Sequence, residues 1–205
     1  MSASVTAVVF DIGNVLILWD PENLYNEMIP DASEREYFLS EVCPYEWNLE
    51  QDRGRPWDEA ISERLEKFPQ YEEWIKAYYE RWEEMLGGAV EANVALLKDL
   101  KEKGVPLYAI TNFSVEKFEE AKRIFPFLAD SFIDTVISGE ENLLKPDVAI
   151  YNILFERNGL NPSDLVFIDD TPKNVVAAQD IGMKALHFSQ ADKLRSELKQ
   201  LGLPL

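Results

Sequence analysis

From Val90 onward the sequence alternates short apolar runs with amphipathic stretches, and this rhythm limits the choice of fold more than any other feature. Strands that alternate with helices predict a parallel sheet covered by helices on both faces. We therefore expect an α/β fold with a doubly wound parallel sheet. The predicted strands are Val5–Phe10, Val105–Ile110, Phe132–Ile137, Leu165–Ile168 and Lys184–Phe188. The predicted helices are Val90–Lys103, Ser114–Ile124, Asp147–Asn158, Pro172–Gly182 and Asp192–Leu201.

A block of different composition separates the first strand from this alternating region. From Pro21 to about Gly88 the chain is rich in Glu, Trp and Tyr and poor in β-branched runs. Apolar residues recur at helical spacing over 57–68 and again over 71–86. The pair Gly87-Gly88 is predicted to end the second of these helices.

The start of this block carries a helix signal of its own. Ser33, with Glu36 three residues later, is typical of a capped helix start. Because the whole block follows the first strand, we predict a core domain made of residues 1–19 and 89–205. A helical subdomain is then inserted at residues 20–88.

The charge of the chain excludes several classes of partner. Its 205 residues carry a formal net charge of -18, which argues against binding to nucleic acid or to an anionic membrane surface. The single cysteine, Cys43, cannot form an internal disulfide. No stretch has the pattern of a membrane span or of a signal peptide. We therefore expect a soluble cytoplasmic protein, monomeric or homodimeric, that acts on a small molecule.

Polar residues stand at the ends of four predicted strands. Because the carboxyl ends of parallel strands share one edge of a sheet, these side chains are expected to converge there. Carboxylates suit Mg²⁺, and a lysine with a hydroxyl and an amide suits phosphate oxygens. The pattern predicts a phosphate site in which an aspartate attacks phosphorus. The residues are Asp11, Thr111-Asn112, Ser138 with nearby Lys145, and Asp169-Asp170.

These residues resemble the four motifs of the haloacid dehalogenase superfamily. Asp11-Ile12-Gly13-Asn14-Val15 is similar to the first motif and Thr111-Asn112 to the second. Lys145-Pro146-Asp147 is similar to the third and Asp169-Asp170 to the fourth. The resemblance implies a Rossmann-like core with an inserted helical cap. Within the superfamily the chain is most similar to bacterial phosphatases with Gly in the first motif, such as the glucose-1-phosphate phosphatase type.

The resemblance also implies roles for individual residues. Asp11 would be the nucleophile that forms an aspartyl-phosphate. Thr111 would hold a phosphoryl oxygen with Asn112 beside it, and Lys145 would steady the nucleophile and the transferring group. The cofactor implied is Mg²⁺, and its expected ligands are Asp11, the carbonyl of Gly13, Asp169 and Asp170.

Gly13 departs from the pattern of the family, because most phosphatases of the superfamily carry a second Asp there as general acid and base. Losing such a group typically costs on the order of 10²–10⁴-fold in rate. We therefore expect activity to survive best on esters with a good leaving group. Asp20 is a candidate substitute acid, although Asp20-Pro21 is also an ordinary helix entry.

Residues of the helical block are the candidates for selecting the substrate. A polar and aromatic loop surrounds Gly54, and in it Arg53, Arg55 and Trp47 are our candidate substrate contacts. The alternative is a salt-bridged surface loop, which also contains Asn48 and Asp52. Outside the block, Asn174 is either a residue that orients the metal carboxylates or a surface helix residue. His187 has no partners for a catalytic cluster.

Three functions remain open from the sequence. The first is a Mg²⁺-dependent phosphatase of small metabolites. The second is a metal-free 2-haloacid dehalogenase, in which the same Asp11 attacks carbon. Dehalogenases of the family carry Ser and Asn in place of Asp169-Asp170, and adjacent carboxylates without a cation would repel each other. The third is a binding protein that has lost catalytic turnover together with the general acid that Gly13 replaces.

Overall fold

The computed structural model describes residues 5–205, and its centre is a five-stranded parallel sheet. The five strands, numbered along the chain with their ranges given below, lie in the order β5-β4-β1-β6-β7, and each neighbouring pair runs parallel. This arrangement confirms the predicted α/β fold with a doubly wound parallel sheet. The strands are β1 (Ala7–Phe10), β4 (Leu107–Thr111), β5 (Asp134–Ile137), β6 (Leu165–Asp169) and β7 (Lys184–His187).

The order of the strands places β1 in the middle of the sheet. Val8 pairs with Leu107 on one side and with Val166 on the other. The chain order reverses direction at β1, and ligands of open α/β sheets bind at such a switch point, outside the carboxyl ends of the strands. Asp11 follows β1 and therefore stands at this point.

Helices cover both faces of the sheet and bury the alternating side chains of β1. Val8 and Phe10 belong to one hydrophobic cluster, whereas Ala7 and Val9 belong to the other. The core helices are α6 (Glu91–Glu102), α7 (Val115–Ile124), α8 (Phe127–Asp130), α9 (Ser138–Glu141), α10 (Val148–Asn158), α11 (Pro172–Asp180) and α12 (Ala191–Gln200), with a 3₁₀ turn at Pro162–Asp164.

The residues between β1 and α6 form a helical insert that is attached through a two-stranded antiparallel ribbon. The ribbon pairs β2 (Ile17–Trp19) with β3 (Leu86–Ala89). The insert contains α1 (Glu22–Met28), α2 (Ala32–Tyr37), α3 (Tyr45–Asp52), α4 (Trp57–Lys67) and α5 (Glu72–Glu80), with a π-helical turn at Phe38–Val42 and 3₁₀ turns at Pro69–Tyr71 and Trp82–Met85.

Three sequence predictions for the insert are wrong. The predicted helix over 71–86 stops at Glu80, and Gly87-Gly88 lies in β3 instead of ending a helix. The pairing of β3 with β2 overrides the helical pattern, and it needs glycine because a Cβ at Gly87 would lie 2.9 Å from Leu18 Cβ. Helix α2 is capped by Asp31, which accepts from the Glu34 N–H at 2.9 Å, and not by Ser33.

Aromatic side chains form the core of the insert. The Trp47 ring centroid lies 5.1 Å from that of Tyr78 and 5.9 Å from that of Trp57. At the border with the core domain, the Trp82 and Phe113 rings lie 5.7 Å apart. The insert therefore packs on the edge of the sheet where Asp11 lies. Within residues 5–205, no helix has the length and apolar character that crossing a membrane requires.

Candidate active site

Asp11 lies directly after the central strand, and its side chain is almost completely buried. Its Oδ1 accepts a hydrogen bond from the Ile12 N–H at 2.7 Å. The same oxygen lies 2.7 Å from the Nζ of Lys145. The strand therefore ends on a carboxylate that a backbone amide and a lysine hold in place.

Lys145 links two of the predicted carboxylates, since its Nζ also lies 2.8 Å from Asp169 Oδ2. Its position is fixed by Asn112 at the end of β4. The Lys145 N–H donates to Asn112 Oδ1 at 2.8 Å, and Asn112 Nδ2 donates to the Lys145 carbonyl at 3.2 Å. Asn112 thus holds the backbone of the lysine, a contact that the sequence analysis did not foresee.

Asp169 and Asp170 follow β6 and have different surroundings. Asp169 is fully buried and accepts from the Thr171 N–H at 2.8 Å and from Asn174 Nδ2, which lies 3.1 Å from both of its oxygens. Asp170 is only partly buried, and its backbone oxygen lies 2.8 Å from His187 Nε2. Asn174 therefore orients a carboxylate, one of the two roles considered for it.

The three carboxylates fit a divalent cation. Asp11, Asp169 and Asp170 each offer an oxygen, and these oxygens lie within 4.8 Å of one another. Hard oxygen donors are the ligands that Mg²⁺ prefers. Asp169 already accepts from Lys145 and Asn174, so Asp11 and Asp170 have more ligand capacity free.

Burial strongly perturbs the ionisation of these groups. Desolvation raises the pKa of Asp11 to about 8, although Lys145 opposes this rise; Asp169 adds to it. Desolvation, followed by the charge of Asp169, also raises the pKa of Asp170. Desolvation lowers the pKa of Lys145, but Asp11 and Asp169 raise it by more, so the net shift is upward. The cluster favours the binding of a further positive charge.

Thr111 is the last residue of β4 and is 1% exposed. Its Oγ1 is buried and has no hydrogen-bond partner among residues 5–205. A buried hydroxyl without a partner is costly and calls for an explanation. The neighbouring strand end differs, because the Ser138 hydroxyl accepts from the Phe113 N–H and donates to the Asp52 carbonyl.

A cavity of about 400 Å³ lies between the sheet edge and the insert. Polar residues of the core domain line one side of it, and aromatic residues line much of the rest. The polar residues include Asp11, Gly13, Asn112, Lys145, Asp170 and Asn174. The aromatic residues are Trp19, Tyr45, Trp57, Trp82 and Phe113.

One face of α3 contributes Tyr45, Asn48 and Asp52 to this cavity. These positions follow the i, i+3, i+7 spacing of a single helix face, which was the available sequence signal. Asp52 Oδ1 accepts from the Ser114 N–H at 3.1 Å, and its Oδ2 accepts from Asn48 Nδ2 at 2.9 Å. From sequence, Asn48 and Asp52 are expected in a surface loop outside the site, whereas the structure places both on the cavity.

The end of α3 is docked closely on the core domain. Gly54 has a φ of +110°, and a Cβ there would lie 2.8 Å from both the Gly139 carbonyl oxygen and Asn142 Oδ1. The Trp57 Nε1–H donates to Ser114 Oγ at 3.1 Å, a second contact between the insert and the core domain. Glycine is therefore required at this position for the insert to approach.

The three candidate substrate contacts from sequence do not reach the cavity. Arg53 is exposed and lies 3.6 Å from Glu50. Arg55 donates to Gln51 and to Glu63, each at 2.7 Å. Trp47 is buried in the aromatic core of the insert. The two arginines were chosen for their charge, but neighbouring acceptors on the insert already bind them, which is the salt-bridged loop considered as the alternative.

Asp20, the candidate substitute acid, does line the cavity. It is exposed, and its Oδ1 accepts from the Glu22 N–H at 2.9 Å. Its carboxylate therefore holds the start of α1, which is the helix-entry role anticipated for it.

Comparison with solved structures supports the fold. A haloacid dehalogenase family enzyme from Bacteroides thetaiotaomicron, solved as a magnesium complex, superposes with a TM-score of 0.75 at 22% identity over 96% of this chain and 99% of the other. The L-2-haloacid dehalogenase RSc1362 superposes with a TM-score of 0.66 at 18% identity over 97% and 99% of the two chains. At these identities the likeness shows a shared fold.

Comparison of sequences identifies the family. A sesquiterpene phosphatase, astK, from Aspergillus oryzae is 27% identical over 204 residues, 98% of both chains. A flavin mononucleotide hydrolase from Arabidopsis thaliana is 34% identical over 110 residues, 53% of this chain and 43% of the other. The family described as haloacid dehalogenase-like hydrolase matches residues 5–182. Because this match covers most of the 205 residues, the chain belongs to the haloacid dehalogenase-like hydrolases.

Proposed function

We propose that this hydrolase is a Mg²⁺-dependent phosphatase of small phosphorylated metabolites that forms an aspartyl-phosphate on Asp11. The observation that carries the proposal is the cluster of Asp11, Asp169 and Asp170, whose oxygens lie within 4.8 Å of one another. Lys145 is the cation in contact with two of them, and a single positive charge does not balance three carboxylates. A divalent cation would complete the charge balance.

Each residue at the sheet edge has a role in this reaction. Asp11 attacks phosphorus, and Lys145 keeps its carboxylate oriented. The Thr111 hydroxyl, which has no partner among residues 5–205, would donate to a phosphoryl oxygen, while Asn112 holds the backbone of Lys145. Mg²⁺, held by Asp11, Asp170 and the Gly13 carbonyl with Asp169 beside them, would neutralise phosphoryl oxygens.

The walls of the cavity favour an apolar or aromatic organic group on the phosphate. The cavity contains five aromatic residues, and its two lysines are already paired. Lys117 Nζ donates to the Tyr79 carbonyl at 2.8 Å and to Glu120 at 3.0 Å, so it is not free for a second anion. The relatives named for sesquiterpene and flavin phosphates agree with such a substrate.

A phosphate-release assay tests the proposal. We expect the protein to release phosphate from 4-nitrophenyl phosphate only with Mg²⁺, and we expect Asp11→Asn to abolish this activity. Asp31→Asn is the matched control, because Asp31 only caps α2 and Asn caps helices equally well. Its activity should equal that of the wild type.

The competing functions give different results in the same experiment. Chloride release from 2-chloropropionate without metal would identify a dehalogenase that uses Asp11 on carbon. Neither phosphate nor halide release across a broad panel of substrates would identify a non-catalytic binding protein. Either result would overturn the proposed phosphatase.

A further inference from the structure

We infer that Asp52, which the helical insert brings into the cavity, is a catalytic residue that protonates the leaving-group oxygen when the phosphate ester is cleaved. The inference rests on the proposed phosphatase activity and supplies the acid that Gly13 lacks. A Cβ at Gly13 would meet no atom within 4 Å, so the space beside Asp11 is open. The proton can therefore come from a group across the cavity.

The other ionisable groups of the cavity are occupied. Lys145 lies between Asp11 and Asp169, and Lys117 is bound to Glu120 and to a backbone carbonyl. Asp20 is exposed and binds the start of α1. Asp11 and Asp170 are assigned to Mg²⁺ in the proposed function. Among the described residues that line the cavity, this leaves two side chains of α3 as proton donors.

Of these two, Tyr45 is the weaker acid. It is 55% exposed, and desolvation followed by the charge of Asp52 raises the pKa of its phenol. A group that holds its proton far above neutral pH is a poor general acid. Asp52 is the better matched of the pair.

The hydrogen bonds of Asp52 are compatible with a protonated carboxyl group. One oxygen accepts from the Ser114 N–H and the other from Asn48 Nδ2, at 3.1 and 2.9 Å. These two donors fix the plane of the carboxyl group. A protonated carboxyl can accept both hydrogen bonds and still donate its O–H, because each oxygen has two lone-pair positions.

The surroundings of Asp52 favour its protonated form. Desolvation raises the pKa of its carboxyl to about 8, and the Ser114 N–H opposes this rise. Asp52 is also the last residue of α3, where the helix dipole disfavours a negative charge. The titratable groups that face it are Tyr45 on its own helix and Tyr78 of α5, both neutral at pH 7. The core domain presents the Ser114 amide and the Ser138 hydroxyl.

The proposed step conserves atoms and charge. As Asp11 forms its bond to phosphorus, the ester P–O bond breaks, and its electron pair takes the proton from the Asp52 O–H. The alcohol leaves, and Asp52 becomes a carboxylate. Water then attacks phosphorus and gives a proton back to Asp52, which restores the acid and releases phosphate from Asp11.

The test compares two esters that differ in their need for a proton. Octyl phosphate has a poor leaving group, whereas 4-nitrophenyl phosphate has a good one. We expect Asp52→Asn to lower kcat by about 10²–10⁴-fold for octyl phosphate and by less than about tenfold for 4-nitrophenyl phosphate. Asp20→Asn makes the same Asp-to-Asn change at another carboxyl group of the cavity and should change both rates by one common factor. If Asp52→Asn lowers kcat by the same factor for both esters, Asp52 helps to dock the insert but does not act as the acid.

Two further measurements keep the assignment testable if Asp52→Asn docks the insert poorly. In the wild type, the rate ratio of octyl to 4-nitrophenyl phosphate should fall as the pH rises past about 8, where Asp52 loses its proton. In the double variant Asp52→Asn/Gly13→Asp, the new carboxyl should restore activity on octyl phosphate. A pH-independent ratio, or a double variant no better than the single one, would overturn the assignment.

Failure of the phosphatase proposal has a separate signature. If the wild type releases phosphate from neither ester with Mg²⁺, the proposed function is wrong and the role of Asp52 falls with it. If the wild type cleaves both esters but Asp52→Asn lowers kcat by the same factor for each, only the role of Asp52 is wrong.

Discussion

Removing a hydroxyl group should change the free energy of unfolding in opposite directions at two neighbouring strand ends. Thr111 Oγ1 is buried without a partner among residues 5–205, whereas Ser138 Oγ accepts from the Phe113 N–H at 2.8 Å and donates to the Asp52 carbonyl. We therefore compare Thr111→Val, which replaces the hydroxyl by a methyl group of similar size, with Ser138→Ala. Both residues are almost completely buried, so exposure does not separate them.

The magnitudes follow from the hydrogen bonds. An unpaired buried hydroxyl costs about 1–3 kcal/mol, so Thr111→Val should raise the free energy of unfolding of the ligand-free protein by about 1 kcal/mol. Ser138→Ala removes a hydroxyl that has two partners and leaves both unpaired. It should lower the free energy of unfolding by about 2 kcal/mol.

Phosphate binding should reverse the order of stability of the wild type and Thr111→Val. At a phosphate concentration about 100 times Kd, the wild type with Mg²⁺ gains about 2.7 kcal/mol of stability. A hydrogen bond to a charged group contributes about 1.5–3 kcal/mol, so its loss in Thr111→Val weakens binding by at least about tenfold. The same phosphate concentration then stabilises Thr111→Val by only about 1 kcal/mol.

Urea denaturation followed by circular dichroism, with and without phosphate and Mg²⁺, measures all of these values. The expected pattern is a variant that is more stable than the wild type when free and less responsive to phosphate. If Thr111→Val destabilises the free protein as much as Ser138→Ala does, or responds fully to phosphate, the hydroxyl has another partner and its assigned role is wrong.

Three further predictions concern the lysine, the docking glycine and the acid of the insert. Lys145→Met leaves Asp11 and Asp169 buried without their cation and should lower the free energy of unfolding by about 3 kcal/mol in urea denaturation at pH 7; an unchanged value would contradict the ion pairing. Gly54→Ala and Gly104→Ala each introduce a side chain at a positive φ, which costs about 1 kcal/mol. Only the Cβ at Gly54 would contact the core domain, so steady-state kinetics should show a loss of activity for Gly54→Ala and not for Gly104→Ala. The folded pKa of Asp52, about 8, lies above its unfolded value of 3.8, so the wild type binds more protons when folded. It should therefore lose stability relative to Asp52→Asn as the pH rises from about 4 to about 8. A constant difference between the two denaturation curves over that range would contradict the shift.

The core domain was predictable because its rules are local and topological. Each strand is a short apolar run, and each run ends on a polar residue that a parallel sheet must bring to one edge. Asp11, Lys145 and Asp169 meet there within hydrogen-bond distance although 134 and 24 residues separate them in sequence. The contact of Asn112 with the backbone of Lys145 depends on two loops meeting, and no local pattern encodes it.

The insert was less predictable because its contacts are tertiary. Arg53 and Arg55 stood out by charge, yet their partners lie on the insert itself. Asp52 was harder to recognise from the sequence than the arginines, because its environment forms only when α3 docks on Ser114. The ribbon was missed for the same reason, because the pairing of β3 with β2 joins segments about 70 residues apart and overrides local helix propensity.

The ribbon of β2 and β3 also affects how the helical insert can vary between related proteins. Leu18 pairs with Gly88, and the Val90 N–H donates to the Leu16 carbonyl at 2.8 Å, so the chain leaves and re-enters the core domain at adjacent points. A segment with neighbouring ends can be lengthened, shortened or exchanged without altering the order of the five-stranded sheet. Under the proposed function, phosphoryl transfer would therefore depend on the core domain, and the choice of leaving group on an insert that can vary separately from it.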